Sequence, residues 1–190
     1  MFLGMGGGAM IHFFHHHFPD SKIEAVEIDP KVIDVAKQWF HIPTSVNIRV
    51  INKDAFDYLP NYKGNRLDAI YMDTFLKPGA ETGPLGIPTR LKTIGFLRQL
   101  KKSLNPGGVI AVNLVEGDET EKDVDSIRSV FRVVYEFRVE NSLNRVLIGV
   151  KSPTAYSADV LRENANKLDS ELDAAFSFSD LLVRLSPAGG

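Results

Sequence analysis

A cluster of glycines and one carboxylate further along form the pattern with the clearest chemistry in this chain. Gly4, Gly6, Gly7 and Gly8 follow a short apolar run, and Glu27 stands nineteen positions after the last of them. Glycines let a strand turn sharply into a helix, where backbone N–H groups can approach a ligand. A carboxylate at the tip of the next strand can accept hydrogen bonds from a ribose. The pattern predicts a nucleoside-binding site; a tight turn with no ligand is the alternative.

Two more carboxylates stand where a nucleoside cofactor would need them. Asp54 follows the third predicted strand, where its carboxylate can accept a hydrogen bond from the amino group of adenine. Asp73 ends the fourth predicted strand at the edge of the cofactor crevice. A capping role alone is the alternative for both residues. We predict that Asp73 is catalytic. The predicted cofactor-binding residues are Gly4, Gly6, Gly8, Glu27, Ile28, Asp54, Ala55 and Asp73.

The elements that position these residues alternate between strand and helix patterns, which is typical of a sheet covered by helices. After a short first strand, strands are predicted over residues 23–28, 46–51, 67–72, 109–114, 133–139 and 145–150. A short turn joins the last two strands, so they must pair antiparallel. The predicted fold class is α/β: a doubly wound, Rossmann-like, mostly parallel sheet of six to seven strands with one antiparallel strand. Residues 1–152 form the nucleoside-binding domain, and residues 153–190 form a helical extension of it.

The helices carry recognisable start signals and apolar stripes. Asp29 is the expected N-cap of a helix with Pro30 at its first position, and Thr89 and Asp118 are the expected caps of two later helices. Residues 74–88 form a long connection rich in glycine and proline, and such connections are often functional lids. The expected buried stripe of the helix that begins at Pro30 consists of Val32, Ile33, Ala36, Trp39 and Phe40.

The composition fits one globular domain and excludes several chemistries. The 190 residues carry a formal net charge of −2, so the chain has no bulk attraction to nucleic acid or to a membrane surface. The absence of cysteine excludes disulfides and thiolate catalysis. His12 and His16 lie one turn apart on a predicted helix, but no further ligand is near, so we expect no metal.

With no membrane-spanning run and no leader, we expect a cytoplasmic protein. The first strand has room for only about three residues, where about five or six are usual, so we expect that the chain is a fragment or that its natural start lies upstream.

Two cofactor fingerprints fit the glycines equally well. Gly4-x-Gly6-x-x-Ala9 satisfies the dinucleotide pattern, and Gly4-x-Gly6-x-Gly8 satisfies the S-adenosylmethionine pattern. Four other features distinguish them: Asp54-Ala55-Phe56, Asp73, Asn105-Pro106-Gly107-Gly108 before the fifth strand, and the terminal antiparallel pair. In these features the sequence resembles the class I methyltransferase superfamily from Phe2 to about Val150, which implies S-adenosylmethionine as the cofactor.

Two branches of that superfamily share further motifs with the chain. The spermidine synthases are similar at Glu27-Ile28-Asp29-Pro30, at Asp54-Ala55-Phe56 and over residues 68–73. The C-terminal methyltransferase domain of the eukaryotic methyltransferases of translation elongation factor one-alpha is a closer resemblance, and it covers nearly the whole chain. The motifs that carry this second resemblance are residues 14–19, residues 25–30, Gln38-Trp39-Phe40, Asn113-Leu114-Val115 and the C-terminal helices.

Two positions depart from the spermidine synthase pattern. That family places an aspartate in the glycine loop to hold the free amine of decarboxylated S-adenosylmethionine, and the matching position here is Gly7. An aspartate there would repel the carboxylate of intact S-adenosylmethionine, whereas glycine leaves N–H groups to receive it. The family's catalytic aspartate falls at Leu76, so an amine nucleophile lacks that carboxylate to orient and deprotonate it. Both differences argue against aminopropyl transfer.

We therefore expect methyl transfer from S-adenosylmethionine to an amine or protein nucleophile. Transfer from a sulfonium is an in-line displacement, which needs an aligned nucleophile more than a strong acid or base. The alternatives are a spermidine synthase-like aminopropyltransferase and a catalytically silent nucleoside-binding module. The expected partner is a small-molecule amine or a protein substrate, and the resemblance to spermidine synthases implies a homodimer.

Overall fold

One continuous β-sheet runs through the molecule. The computed structural model describes residues 1–75, 82, 86, 88–139 and 141–186. The predictions for Leu76 and for most of the connection over residues 74–88 lie outside these residues. In chain order the strands are β1 Phe2–Leu3, β2 Ile23–Glu27, β3 Ile48–Asn52, β4 Leu67–Met72, β5 Leu104–Val115, β6 Val133–Arg138, β7 Asn144–Val150 and β8 Leu185–Ser186.

The sheet is mostly parallel, with strand order β3-β2-β1-β4-β5-β7-β6-β8. The first five strands in that order are parallel, whereas β7 is antiparallel to both β5 and β6. The predicted fold class, a Rossmann-like sheet with an antiparallel strand near its end, is confirmed. The strand β8 pairs antiparallel with β6 and adds an eighth strand. Its two residues are too few to show an alternating pattern in the sequence.

The register of four adjacent strands brings the predicted site residues to one edge of the sheet. Leu3 pairs with Val26 on one side and with Met72 on the other, and Met72 pairs in turn with Val112. The strand order reverses beside β1, and the carboxyl ends of parallel strands at such a point form a ligand crevice. The residues that directly follow these four are Gly4, Glu27, Asp73 and Asn113.

Helices cover both faces of the sheet. In chain order the helices are α1 Ala9–His17, α2 Pro30–Trp39, α3 Ala55–Tyr58, α4 Ile94–Ser103, α5 Thr120–Val130, α6 Ala158–Glu171 and α7 Phe178–Leu182. The helices α3, α4 and α5 pack on one face, where Phe96 and Ile127 belong to the same buried cluster as Ile70 of β4. The helices α1 and α2 pack on the opposite face through Ile11 and Ile33.

The predicted buried stripe of α2 is only partly correct. Ile33 and Ala36 are buried, but Trp39 is 74% exposed and Phe40 is 53% exposed. The stripe fails because α2 ends at Trp39 and the chain then turns at His41, whose φ is 50°. This turn brings Ile42, rather than Trp39, into the core beside α1. An aromatic side chain predicted to be core therefore lies in solvent.

The predicted helix caps are correct in one of three cases. Asp29 caps α2 by accepting a hydrogen bond from Lys31 N, with Pro30 at the first helical position. Thr89 does not cap α4, because residues Thr89–Lys92 form a separate 3-10 helix and Thr93 takes the capping position. Asp118 does not cap α5, which begins at Thr120 without a side-chain cap.

The C-terminal region packs against the rest of the fold through Leu161 and Phe176, among other contacts. Leu161 of α6 packs beside β6 and β7 on the face that α1 and α2 also cover. Beyond α6, the ring of Phe176 stacks on that of Phe13 in α1, with centroids 5.9 Å apart. None of the helices in the described part of the chain has the length and apolar character needed to cross a bilayer.

Candidate active site

A cavity of about 1140 Å³ opens at the carboxyl ends of β1, β2 and β4. A volume of this order suits a ligand of nucleoside-cofactor size. The structure brings all of the predicted site residues to its wall, namely Gly4, Gly6, Gly8, Glu27, Ile28, Asp54, Ala55 and Asp73. The sequence spacing therefore located one site rather than several scattered ones.

The glycine loop passes so close to its neighbours that two of its positions require glycine. Gly4 has a φ of +83°, and a Cβ there would lie 2.4 Å from the backbone oxygen of Asp73. Gly8 has a φ of +77°, and its Cβ would lie 1.8 Å from Cδ1 of Ile42. A side chain at either position would meet both a steric overlap and an unfavourable left-handed backbone. The loop then leads into the N-terminus of α1, which suits an anionic group of a ligand.

Two backbone amides hold the carboxylate of Glu27 at the wall of the cavity. Oε2 accepts a hydrogen bond from Met5 N in the glycine loop, and Oε1 accepts one from Asp29 N, each over 3.0 Å. The side chain is buried, at 8% exposure, yet it lines the cavity. Each carboxylate oxygen can accept a second hydrogen bond. Glu27 is thus a pre-positioned acceptor for a pair of hydroxyl groups.

Asp54 caps a helix and also lies at the wall of the cavity. Its Oδ1 accepts a hydrogen bond from Phe56 N over 2.9 Å and so caps α3, while the residue also lines the cavity. Its Oδ2 forms an ion pair with Arg90, whose guanidinium lies 5.1 Å from the centroid of the Phe56 ring. Arg90 lies thirty-six positions from its partner and has no motif around it, so its place in the site is not apparent from the sequence.

Asp73 is positioned by the strand on its other side. Its Oδ1 accepts a hydrogen bond from the side-chain amide of Asn113 over 3.0 Å, and its backbone N donates to the carbonyl of Leu3. The Oδ1 atom of Asn113 is buried and has no hydrogen-bond partner in the described structure. The sequence analysis noted Asn113 only within a family motif. The strand register places Asn113 at the site, because Val112 pairs with Met72 and Asn113 follows Val112 as Asp73 follows Met72.

Aromatic rings complete the wall of the cavity near the glycine loop. Phe40 lies against Gly7, where an added Cβ would be 3.3 Å from the ring. Tyr71 stacks on Phe2 with ring centroids 4.9 Å apart, and burial raises the pKa of Tyr71 to about 12. Its hydroxyl group therefore stays protonated at neutral pH. Phe2, Phe40 and Tyr71 thus give this part of the cavity wall an apolar, uncharged surface.

The histidines of α1 show no arrangement for metal binding in the described structure. The Nε2 atom of His12 lies 2.8 Å from the carbonyl oxygen of Phe40 and so links α1 to the end of α2. The described residues contain no group of three or more histidine, cysteine, aspartate or glutamate side chains that could hold a metal ion. His12 thus supports the wall to which Phe40 belongs.

The fold and this geometry have known relatives. A family model for the spermine/spermidine synthase domain matches residues 3–144. The human eEF1A lysine and N-terminal methyltransferase is 33% identical over 195 residues, which cover 95% of this chain and 28% of the relative. A polyamine aminopropyltransferase of Vibrio vulnificus (strain CMCP6) is 31% identical over 176 residues, which cover 90% of this chain and 56% of the relative.

A solved structure shows the same architecture. The crystal structure of human methyltransferase-like protein 13 in complex with SAH has a TM-score of 0.82 and 30% sequence identity, and the match covers 94% of this chain and 86% of that one. The chain spans 28% of the length of the human curated relative. Because the family model covers residues 3–144, most of its length, this chain belongs to the spermine/spermidine synthase domain family.

Proposed function

We propose that this chain is an S-adenosylmethionine-dependent methyltransferase that acts on an amine of a protein substrate. Two similarities support the reaction: the human curated relative is named as a lysine and N-terminal methyltransferase, and the human structural relative was solved with SAH. Lysine side chains and protein N-termini are both amines, so the acceptor chemistry is the same for either. The match covers 28% of the human curated relative, so the particular substrate of that protein is not carried over to this chain.

The residues of the cavity fit an adenosine cofactor. Glu27 would accept the two ribose hydroxyl groups, because its carboxylate is buried, fixed by two amides and still faces the cavity. Asp54 would accept a hydrogen bond from the adenine amino group. The apolar side chain of Ile28 lines the same cavity. Because Gly4 and Gly8 have no Cβ, the loop can pack against Asp73 and Ile42 while its backbone lines the cavity. When bound, the cofactor supplies an electrophilic methyl group on a sulfonium.

Asp73 and Asn113 would orient the acceptor amine. Asp73 lines the cavity at the end of β4, and the hydrogen bond from Asn113 fixes one of its carboxylate oxygens. A carboxylate in this position can accept an N–H of the incoming amine and hold its lone pair in line with the transferred methyl group. Such alignment contributes most of the catalysis that an in-line displacement needs.

The observation that favours methyl transfer over aminopropyl transfer is that residue 7 is glycine. Gly7 presents no charge toward the cavity, and its neighbour is the apolar ring of Phe40. The carboxylate of intact S-adenosylmethionine would meet no opposing side-chain carboxylate at this position. Aminopropyl transfer is the second candidate, because the family model and the Vibrio vulnificus relative both bear polyamine synthase names.

Labelled cofactors distinguish these functions. The protein would be incubated with methyl-labelled S-adenosylmethionine and a protein extract, and in parallel with aminopropyl-labelled decarboxylated cofactor and putrescine. Methyl transfer predicts label in protein and none in spermidine. Label in spermidine would establish aminopropyl transfer instead. Tight cofactor binding with no transfer to any acceptor would identify a silent module.

We also propose a cytoplasmic location and a homodimer. A chain without cysteine needs no oxidising compartment for disulfide formation, and the similarity to the spermidine synthases supports the dimer. Light scattering of the purified chain tests the dimer directly, since a monomer mass would refute it. Fluorescence microscopy of a tagged chain tests the location.

A further inference from the structure

The adenine side of the cavity holds a cation that the proposed reaction does not use. Arg90 lies in the 3-10 helix Thr89–Lys92 and lines the cavity together with Asp54. Its guanidinium forms an ion pair with Oδ2 of Asp54 and lies over the ring of Phe56. Arg90 therefore contacts the very carboxylate that we assign to the amino group of adenine.

Both oxygens of Asp54 already accept a hydrogen bond within the protein. Oδ1 accepts from Phe56 N at the start of α3, whereas Oδ2 pairs with Arg90, whose side chain lines the same cavity. A guanidinium is a charged donor, and hydrogen bonds from charged donors are stronger than those from a neutral amino group. An adenine amino group that approaches Oδ2 must therefore share this oxygen with a stronger donor that stands at the same wall of the cavity.

The backbone around Arg90 is anchored, so the exchange falls to its side chain. Leu91 is buried, the carbonyl of Arg90 accepts a hydrogen bond from Oγ1 of Thr93, and Lys92 forms an ion pair with Asp123 over 2.6 Å. The side chain of Arg90 is 42% exposed, which leaves it room to turn toward solvent. The side chain of Arg90 can therefore turn away from Asp54 while the 3-10 helix that carries it stays folded.

We propose that Arg90 gates the adenine side of the cofactor site. Its guanidinium holds Oδ2 of Asp54 in the free protein and yields that atom to the 6-amino group of adenine when the cofactor binds. This inference rests on the proposed cofactor. A partly exposed ion pair contributes little stability, so the gate changes cofactor affinity by about two- to fivefold and does not block the site. It also makes cofactor binding sensitive to salt, because salt screens the pair.

Two arginine variants test the gate. Arg90→Met keeps an apolar stem over Phe56 and removes the donors that hold Asp54. Arg98→Met is the matched control, because Arg98 is an exposed residue of α4 that does not line the cavity. Calorimetry with S-adenosylhomocysteine should show binding about two- to fivefold tighter for Arg90→Met than for the wild type, and no change for Arg98→Met.

Two further readouts separate gating from a general change in the pocket. Adenosine and purine riboside, which lacks the 6-amino group, would be used as competitors. Adenosine alone should gain affinity in Arg90→Met, since purine riboside has no need of Asp54. Higher salt should tighten binding of S-adenosylhomocysteine by the wild type but not by Arg90→Met.

The contrary results are distinct. Equal or weaker binding by Arg90→Met, or an equal gain for both nucleosides, would overturn the gate while leaving the proposed function intact. If the wild type binds no S-adenosylhomocysteine, the proposed function and the gate fail together.

Discussion

Asp73 directly follows β4, Asn113 lies near the carboxyl end of the adjacent parallel strand β5, and the amide of Asn113 donates a hydrogen bond to Oδ1 of Asp73 over 3.0 Å. This contact joins β4 to β5 at the edge of the cavity, beside the glycine loop that follows β1. It fixes the direction in which the carboxylate points. The acceptor side of the proposed reaction therefore depends on two strands that lie next to each other in the sheet.

Replacement of Asp73 by asparagine should slow turnover with little effect on cofactor binding. Asp73→Asn keeps an oxygen to accept from Asn113 but removes the charge that would hold an amine. We expect kcat to fall by about a hundredfold or more, while affinity for S-adenosylhomocysteine stays within about twofold. Asp68→Asn is the control, because Asp68 lies on the same strand outside the cavity and pairs with Asn105. An unchanged kcat for Asp73→Asn would refute the role of Asp73.

A charge at position 7 should reverse the choice of cofactor. Gly7→Asp places a carboxylate near the carboxylate of S-adenosylmethionine, whereas the decarboxylated cofactor gains an attractive partner for its amine. We expect affinity for S-adenosylmethionine to fall about tenfold relative to the decarboxylated form. Gly7→Asn has nearly the same size and meets the same Phe40 ring, so it controls for that contact. Equal ratios for the two variants would show that charge at position 7 does not select the cofactor.

Gly8→Ala should destabilise the fold, and a change in Ile42 should relieve part of the loss. The left-handed backbone at Gly8 costs about 1–2 kcal/mol for alanine, and overlap with Cδ1 of Ile42 costs about 1–3 kcal/mol more. Ile42→Val removes that atom, so the double variant should lose less stability than the sum of the two single variants. Gly6→Ala is the control for backbone strain alone, because nothing lies within 4 Å of its Cβ position. Chemical denaturation measures all four, and strict additivity would contradict the close approach.

Asp169 should make the start of α7 sensitive to acid. Hydrogen bonds from Ser179, Phe178 and Ser177 lower the pKa of Asp169 from 3.8 to about 2. A carboxyl group whose pKa is lowered by folding stabilises the native state above its ordinary pKa. That stabilisation is lost as the pH falls from about 4 toward 2. The free energy of unfolding of the wild type should thus approach that of Asp169→Asn over this range. A difference between the two proteins that does not change with pH would contradict the assignment.

Much of the fold could be predicted because its signals are local. Asp29 and Pro30 mark the start of α2, and the glycines mark the turn after β1, since each residue type has a backbone or capping preference of its own. The short joint between β6 and β7 permits only an antiparallel pair, and the structure has that pair. Such signals need no knowledge of distant contacts.

The parts that the sequence did not reveal depend on tertiary contacts. Trp39 satisfies the helical period of a buried residue, but α2 ends there and the turn at His41 sends Ile42 to the core. Arg90 and Asn113 join the site through strand register and through a partner far along the chain. Residue type and spacing cannot supply these contacts. The carboxylates of Glu27, Asp54 and Asp73 could be predicted from the sequence. Arg90 and Asn113, which contact two of them, could not.

Calorimetric titration of the purified chain with S-adenosylmethionine and with its decarboxylated form tests the central claim most directly. The proposed function predicts saturable one-to-one binding of S-adenosylmethionine, tighter than that of the decarboxylated form, and a loss of affinity in Glu27→Ala because the ribose acceptor is removed. No binding of S-adenosylmethionine, or a preference for the decarboxylated form, would contradict the assignment of this site to methyl transfer.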